Sequence, residues 1–219
     1  MKNIFWLLIC AFSFTCSNQK SENRNQTVPE IALPFYNEPT FTPKWIEDED
    51  ESFDEIHKIA DFKFQNQQGD WITQDDLEGK IYVANFFFSI CPNVCPLMMG
   101  NLLKVQDTFK SNPHIKILSH TVMPWIDSVG RLREYADFNG INAESWSLLT
   151  GDKKEIYELA RNSYFADEGF GKTVTENDDF LHTENLVLID QNRHIRGIYN
   201  GTLSLETKQL IEDIKHLLK

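Results

Sequence analysis

Basic charge is scarce in this chain: 21 lysines and arginines stand against 33 aspartates and glutamates, for a net charge of −12. A nucleic-acid binder needs a basic footprint to meet the phosphates, so that class is excluded. No glycine-rich phosphate loop of either common type occurs, which removes support for nucleotide binding. Internal repeats are absent, and the leading apolar run, Ile4 to Phe14, is too short to span a bilayer as a stable anchor. Cysteine is sparse as well, with four in 219 residues. Where those four fall organises the rest of the reading.

With 41% hydrophobic and 25% charged residues, the chain can bury one full core with appendages, and nothing in it suggests two. Met1-Lys2-Asn3 followed by the run to Phe14 reads as a signal peptide over residues 1–15. The segment Ser13-Phe14-Thr15-Cys16-Ser17-Asn18 resembles a bacterial lipoprotein processing site, with Cys16 as the lipid attachment residue; a plain secretory signal is the alternative, and Cys10 is a competing cysteine. Residues 16–54 then form a tether and an extended entry segment. Ser17 to Val28 is polar and aperiodic, and the pieces around Phe35 and Trp45 are apolar and broken by prolines. The acidic run Glu47 to Glu51 reads as a solvated loop.

The folded body spans 55–219 and alternates strand and helix patterns. Asp61–Gln65 and Trp71–Thr73 form a hairpin about Gln68-Gly69-Asp70. Ile81–Phe88 is a continuously apolar strand of the kind buried on both faces, and Ile115–Val122 is the next strand. Helical spacing marks the stretch after Cys95, then Ser128–Phe138 and Lys154–Phe165. A second hairpin joins Leu186–Asp190 to Ile195–Tyr199, and Ser204 is placed as the cap of a terminal amphipathic helix. The expected fold is therefore α/β, with an at least partly parallel sheet flanked by helices and an N-terminal β-hairpin.

Only Cys91 and Cys95 remain in that body. They lie where the apolar strand turns into a helix, and helical spacing of four puts both on one face. Both sulfurs can reach one metal ion, or each other. The helix start favours anions and so lowers a thiol pKa toward thiolate, the species that binds metal and attacks disulfides. A structural disulfide is the plain alternative, but a bridge closing so short a loop stabilises weakly.

Phe86-Phe87-Phe88-Ser89-Ile90-Cys91-Pro92-Asn93-Val94-Cys95-Pro96-Leu97-Met98 resembles the metal-binding loop of the SCO/SenC family, thioredoxin-like copper-delivery proteins of the bacterial envelope and mitochondrial inner membrane. The resemblance implies a thioredoxin-like fold in which Cys91, Cys95 and one distant histidine hold copper. Of six histidines, His57, His114, His120, His194 and His216 read as surface or strand residues. His182 is singled out because His182-Thr183-Glu184-Asn185-Leu186-Val187-Leu188-Ile189-Asp190 looks like the family's ligand histidine and the strand behind it. The loop Phe165 to Asp179 would be the flap that carries it to the sulfurs. One departure stands out: where members often show Asp-Pro and a second Asp, this chain reads Met123-Pro124-Trp125-Ile126-Asp127, so Met123 replaces the first acid.

Two thiolates and an imidazole suit Cu(I), although a catalytic zinc can use the same set. Met98, Met99 and Met123 could lend thioether sulfur, but Met98 and Met99 read better as core. The resemblance implies a metallochaperone rather than an enzyme, delivering copper to the binuclear site of cytochrome c oxidase subunit II or to another copper-accepting protein. The expected location is the envelope of a bacterium, as a membrane-anchored lipoprotein with its domain in the periplasm. The alternative is a thiol–disulfide oxidoreductase using Cys91 and Cys95 as its redox-active pair to reduce acceptor cysteines or sense redox state.

Overall fold

The computed structural model describes residues 32–46, 53, 55–167 and 181–219. The leader with Cys10 and Cys16, the polar tether, the acidic run and the greater part of the expected flap lie outside the described residues. Ala32 to Lys219 form one compact unit.

Its centre is a five-stranded mixed sheet in the order β7-β6-β5-β8-β9. The middle strand β5 (Ile81–Phe87) is buried at every position, because both faces of the sheet are covered. Successive side chains alternate between the faces. Ile81, Val83 and Phe87 enter one core cluster, with α1 (Val94–Phe109), α2 (Val129–Asn139) and α4 (Ser204–Leu217). Tyr82, Ala84 and Phe86 enter the other, with α3 (Lys153–Asn162) and the hairpin β3 (Lys63–Gln65) and β4 (Trp71–Thr73). Each fully buried Ile or Leu in these layers contributes roughly 1.5–3 kcal/mol of transfer free energy.

β6 (Ile115–Thr121) runs parallel to β5, so a crossover must join them, and α1 supplies it. β8 (Asn185–Ile189) and β9 (Ile195–Asn200) are antiparallel, as the second hairpin requires. β7 (Trp146–Leu149) was not foreseen: its four residues carry no periodic signal, and only pairing with Ile117–His120 of β6 makes them a strand. Two short strands, β1 (Phe35–Tyr36) and β2 (Pro43–Lys44), also pair within the entry segment.

Arg196 holds that segment onto the sheet. Its guanidinium donates to the carbonyls of Leu33 (2.6 Å) and Pro34 (3.1 Å), ion-pairs with Asp190 at 3.0 Å and lies 3.9 Å over the Phe35 ring.

Helix ends follow local chemistry in two cases and depart from it in one. Ser128 and Asp152 cap α2 and α3 through their side chains, and Gly140 ends α2 at φ 72°, where only glycine is unstrained. Ser204 does not cap α4. It is the first helical residue, Leu203 stands at the cap, and the Ser204 hydroxyl instead donates to Asn101 of α1 (3.3 Å) and accepts from Lys104 (3.1 Å). Tertiary partners on α1 have outcompeted the local cap.

Candidate metal centre

The two cysteines stand at the C-terminal end of β5, where parallel strands feed helices. Cys95 is in the first turn of α1, but Cys91 is not on the helix: it sits in the turn before it, two residues ahead of the Asn93 cap. The expectation of a shared helical face is corrected accordingly. The two are close because the turn closes through Cys91 N–H to the Phe88 carbonyl (3.2 Å) and the Cys95 N–H reaches back to the Cys91 sulfur at 3.4 Å. Asn93 makes no side-chain cap, so the sulfur occupies that role. Pro96 follows within the first turn, where a missing N–H leaves nothing unpaired.

Both are free thiols, Cys91 half-buried and Cys95 buried. Burial works to raise the Cys91 pKa, but the N–H groups of Cys95, Asn93 and Val94 together outweigh it and hold the thiol below its ordinary value. Burial dominates at Cys95 and pushes it up to about 12, with the neighbouring Cys91 adding to the rise. The pair is therefore asymmetric: a half-buried Cys91 thiol shifted toward thiolate, and a buried Cys95 thiol behind it that keeps its proton. Tyr135 of α2 lies against them, its phenol raised to about 12 by burial and then by the charges of Cys95, Cys91 and Asp127.

His182 precedes β8, half-buried. Because β8 runs antiparallel to β5, its N-terminal end lies at the sheet end where the cysteine turn begins. Among the described residues, however, no three His, Cys, Asp or Glu side chains gather closely enough to hold a metal ion, so the structure brings Cys91 and Cys95 together and leaves His182 outside their group. The segment 168–180 directly before it lies outside the described residues.

Three other histidines, His57, His120 and His194, are held elsewhere in the fold. His57 lies tilted against the Phe165 ring and meets the Ser163 carbonyl at 2.8 Å, and His194 is buried beside Asp190. His120 is wholly buried among Phe62, Phe64, Phe86 and Tyr164, while His114 is exposed on a loop. Met98 and Met99 are core, as their spacing implies, and Met123 packs half-buried against the other cluster.

Sequence reasoning passed over Ser89 and Thr121, which donate to Asp127 behind the cysteine turn, and Arg131, which donates to Ser89. Ser89 and Asp127 are 38 positions apart, and no local pattern could have paired them. No described helix is long and apolar enough to cross a membrane.

Known proteins bear directly on this arrangement. A curated relative, a SCO1 protein homolog of Bacillus subtilis (strain 168), is 28% identical over 161 residues, covering 73% of this chain and 82% of its own length. Among solved structures, BsSco, a member of the Sco family of cytochrome c oxidase assembly proteins in which a disulfide switch is identified, superposes with TM-score 0.62 at 27% identity, over 74% of this chain and 93% of its own. Arabidopsis thaliana ScoI with copper bound superposes with TM-score 0.56 at 25% identity, over 71% and 97%. The expected thioredoxin-like α/β architecture agrees with these neighbours, and its mixed sheet flanked by helices is as anticipated. The SCO1/SenC family model matches residues 50–219, and with more than half of its length matched this chain belongs to the SCO1/SenC family.

Proposed function

We propose that this protein is a copper carrier that takes the ion on Cys91, Cys95 and His182 and passes it to an acceptor in cytochrome c oxidase assembly. The observation that carries this is the polarised thiol pair: a Cys91 sulfur held toward thiolate by helix N–H groups, 3.4 Å from the N–H of the buried Cys95. Copper-bound Arabidopsis ScoI and the oxidase-assembly role of BsSco support it. Soft sulfur ligands suit Cu(I), and the described body offers no third cysteine for a structural zinc site.

In this reading the Cys91 thiolate meets the incoming ion first. Cys95 gives up its proton only as the metal arrives, because a ligand must be deprotonated to bind. His182 closes the set from the start of β8. Transfer then proceeds by exchange, one acceptor ligand displacing one donor at a time, so the ion is never released to water. Ile90 and Leu97 flank the cysteines and Trp125 lies two residues from Asp127, all three exposed, as a face that meets another protein requires. The acceptor is the binuclear copper site of oxidase subunit II, and a lipid on Cys16 holds the domain at the envelope membrane, facing the periplasm.

A second reading draws on the same two residues. Two free, adjacent thiols can cycle to a disulfide and reduce the cysteines of an acceptor, and the disulfide switch of BsSco favours it.

The deciding experiment is metal analysis of the purified chain, reduced anaerobically, offered copper and zinc together and then desalted. Close to one copper per chain, lost in Cys91→Ala, Cys95→Ala and His182→Ala, is the expected result. No retained metal with a readily cycled disulfide would move the assignment to thiol exchange, and retained zinc would overturn both.

A further inference from the structure

Behind the cysteine turn stands a buried carboxylate that neither reading uses. Asp127 is 0% exposed, and its oxygens are taken up by three donors. The Ser89 N–H reaches Oδ2 at 3.1 Å, the Ser89 hydroxyl reaches Oδ1 at 2.5 Å, and the Thr121 hydroxyl reaches Oδ2 at 2.5 Å. A carboxylate removed from water is retained only where donors replace the lost hydration.

The direction of the Ser89 hydroxyl follows from counting. Arg131 Nε–H donates to Ser89 Oγ at 2.8 Å, and a hydroxyl has one proton, which must therefore point to Asp127. The guanidinium reaches the carboxylate through that hydroxyl, and the relay has one arrangement. Ser89 is thus gripped at two points, backbone and side chain, by the two oxygens of one residue.

Ser89 is also the residue between Phe88 and Ile90 in the turn that places Cys91. Cys91 N–H closes that turn on the Phe88 carbonyl, and the Cys91 sulfur then receives the Cys95 N–H. A continuous chain of contacts runs from the end of β6 and from α2, through Asp127 and Ser89, to the sulfur. Thr121 touches the carboxylate from β6 alone and does not touch the turn.

We propose that Asp127 is a positioning residue for the Cys91–Cys95 pair, acting through Ser89 to hold the Cys91 sulfur against the Cys95 N–H. It rests on the reading that the two cysteines work as a pair, whether on copper or in thiol exchange. Forming a disulfide requires the Cys91 sulfur to leave that N–H and swing onto Cys95. The two-point grip on Ser89 opposes the swing and so favours the dithiol.

The test contains no copper, so its failure is distinct from failure of the carrier reading. The full chain is equilibrated with reduced and oxidised glutathione, in which two cysteine thiols and one oxidised glutathione exchange with one protein disulfide and two reduced glutathiones. Parent, Ser89→Ala, Asp127→Asn and the control Tyr199→Phe are compared, each with its denaturation midpoint. Ser89→Ala and Asp127→Asn should move the equilibrium about tenfold toward the disulfide, equivalent to about 30 mV for this two-electron couple. Tyr199→Phe, which loses the hydroxyl bond to Asp213 and touches neither Asp127 nor the turn, should lower the denaturation midpoint and leave the thiol equilibrium within twofold of the parent. A Ser89→Ala equilibrium that is unmoved, moved toward the dithiol, or matched by Tyr199→Phe would overturn the proposal.

Discussion

The backbone N–H of Cys95 points at the sulfur of Cys91, 3.4 Å away, so a free donor in the first turn of α1 is satisfied by the residue that must also react. With the N–H groups of Asn93 and Val94 also directed at it, Cys91 gains thiolate character, while the buried Cys95 keeps its proton. Iodoacetamide at pH 7 should therefore modify Cys91 faster than Cys95 by about tenfold or more, because only the thiolate attacks. Peptide mass spectrometry over a pH series checks it: the Cys91 rate should reach its plateau at lower pH than that of a free thiol.

His182 separates the two functional readings. His182→Ala should weaken copper binding by more than the roughly 10–100-fold that losing an outer-shell partner costs. The Cys91–Cys95 disulfide should still form and be reduced as in the parent, since thiol exchange needs only the sulfurs. Competition with a Cu(I) chelator and a glutathione titration on the same preparation read the two effects. Equal loss of both would end this division of roles.

His120 makes the fold sensitive to acid. Burial lowers its pKa from 6.5 to about 3, and neither ring nitrogen has a hydrogen-bond partner among the described residues. Between those values the unfolded chain takes up a proton that the folded chain refuses. Stability contributed by the neutral ring is therefore complete above pH 6.5 and declines as pH falls toward 3, by about 3 kcal/mol at pH 4. His120→Phe, which fits a cage of aromatic rings, should lose less stability between pH 7 and pH 4 than the parent in urea denaturation.

Arg196 is the clasp of the entry segment. Arg196→Ala removes the donors to Leu33 and Pro34 and leaves Asp190, 4% exposed, without its guanidinium. Breaking a buried pair from one side costs about 3–5 kcal/mol. The variant should unfold at markedly lower denaturant and be cleaved by protease between Ala32 and Ile46 well before its core.

By itself the sequence determined the elements whose causes are local. The unbroken apolar run of β5, the helical spacing of α1 to α4 and the two hairpins all follow from periodicity and turn chemistry within a few residues. The cysteine motif and its family were legible for the same reason, since the motif is contiguous. Tertiary structure alone decided what depends on distant partners. β7 exists through its pairing with β6, and Ser204 left its cap for Asn101 and Lys104. Cys91 stands off the helix because the turn anchored by Ser89 on Asp127 ends before the helix begins. Hydrogen bonds and burial act between groups close in space, and in these cases the chain had first to fold to bring them there.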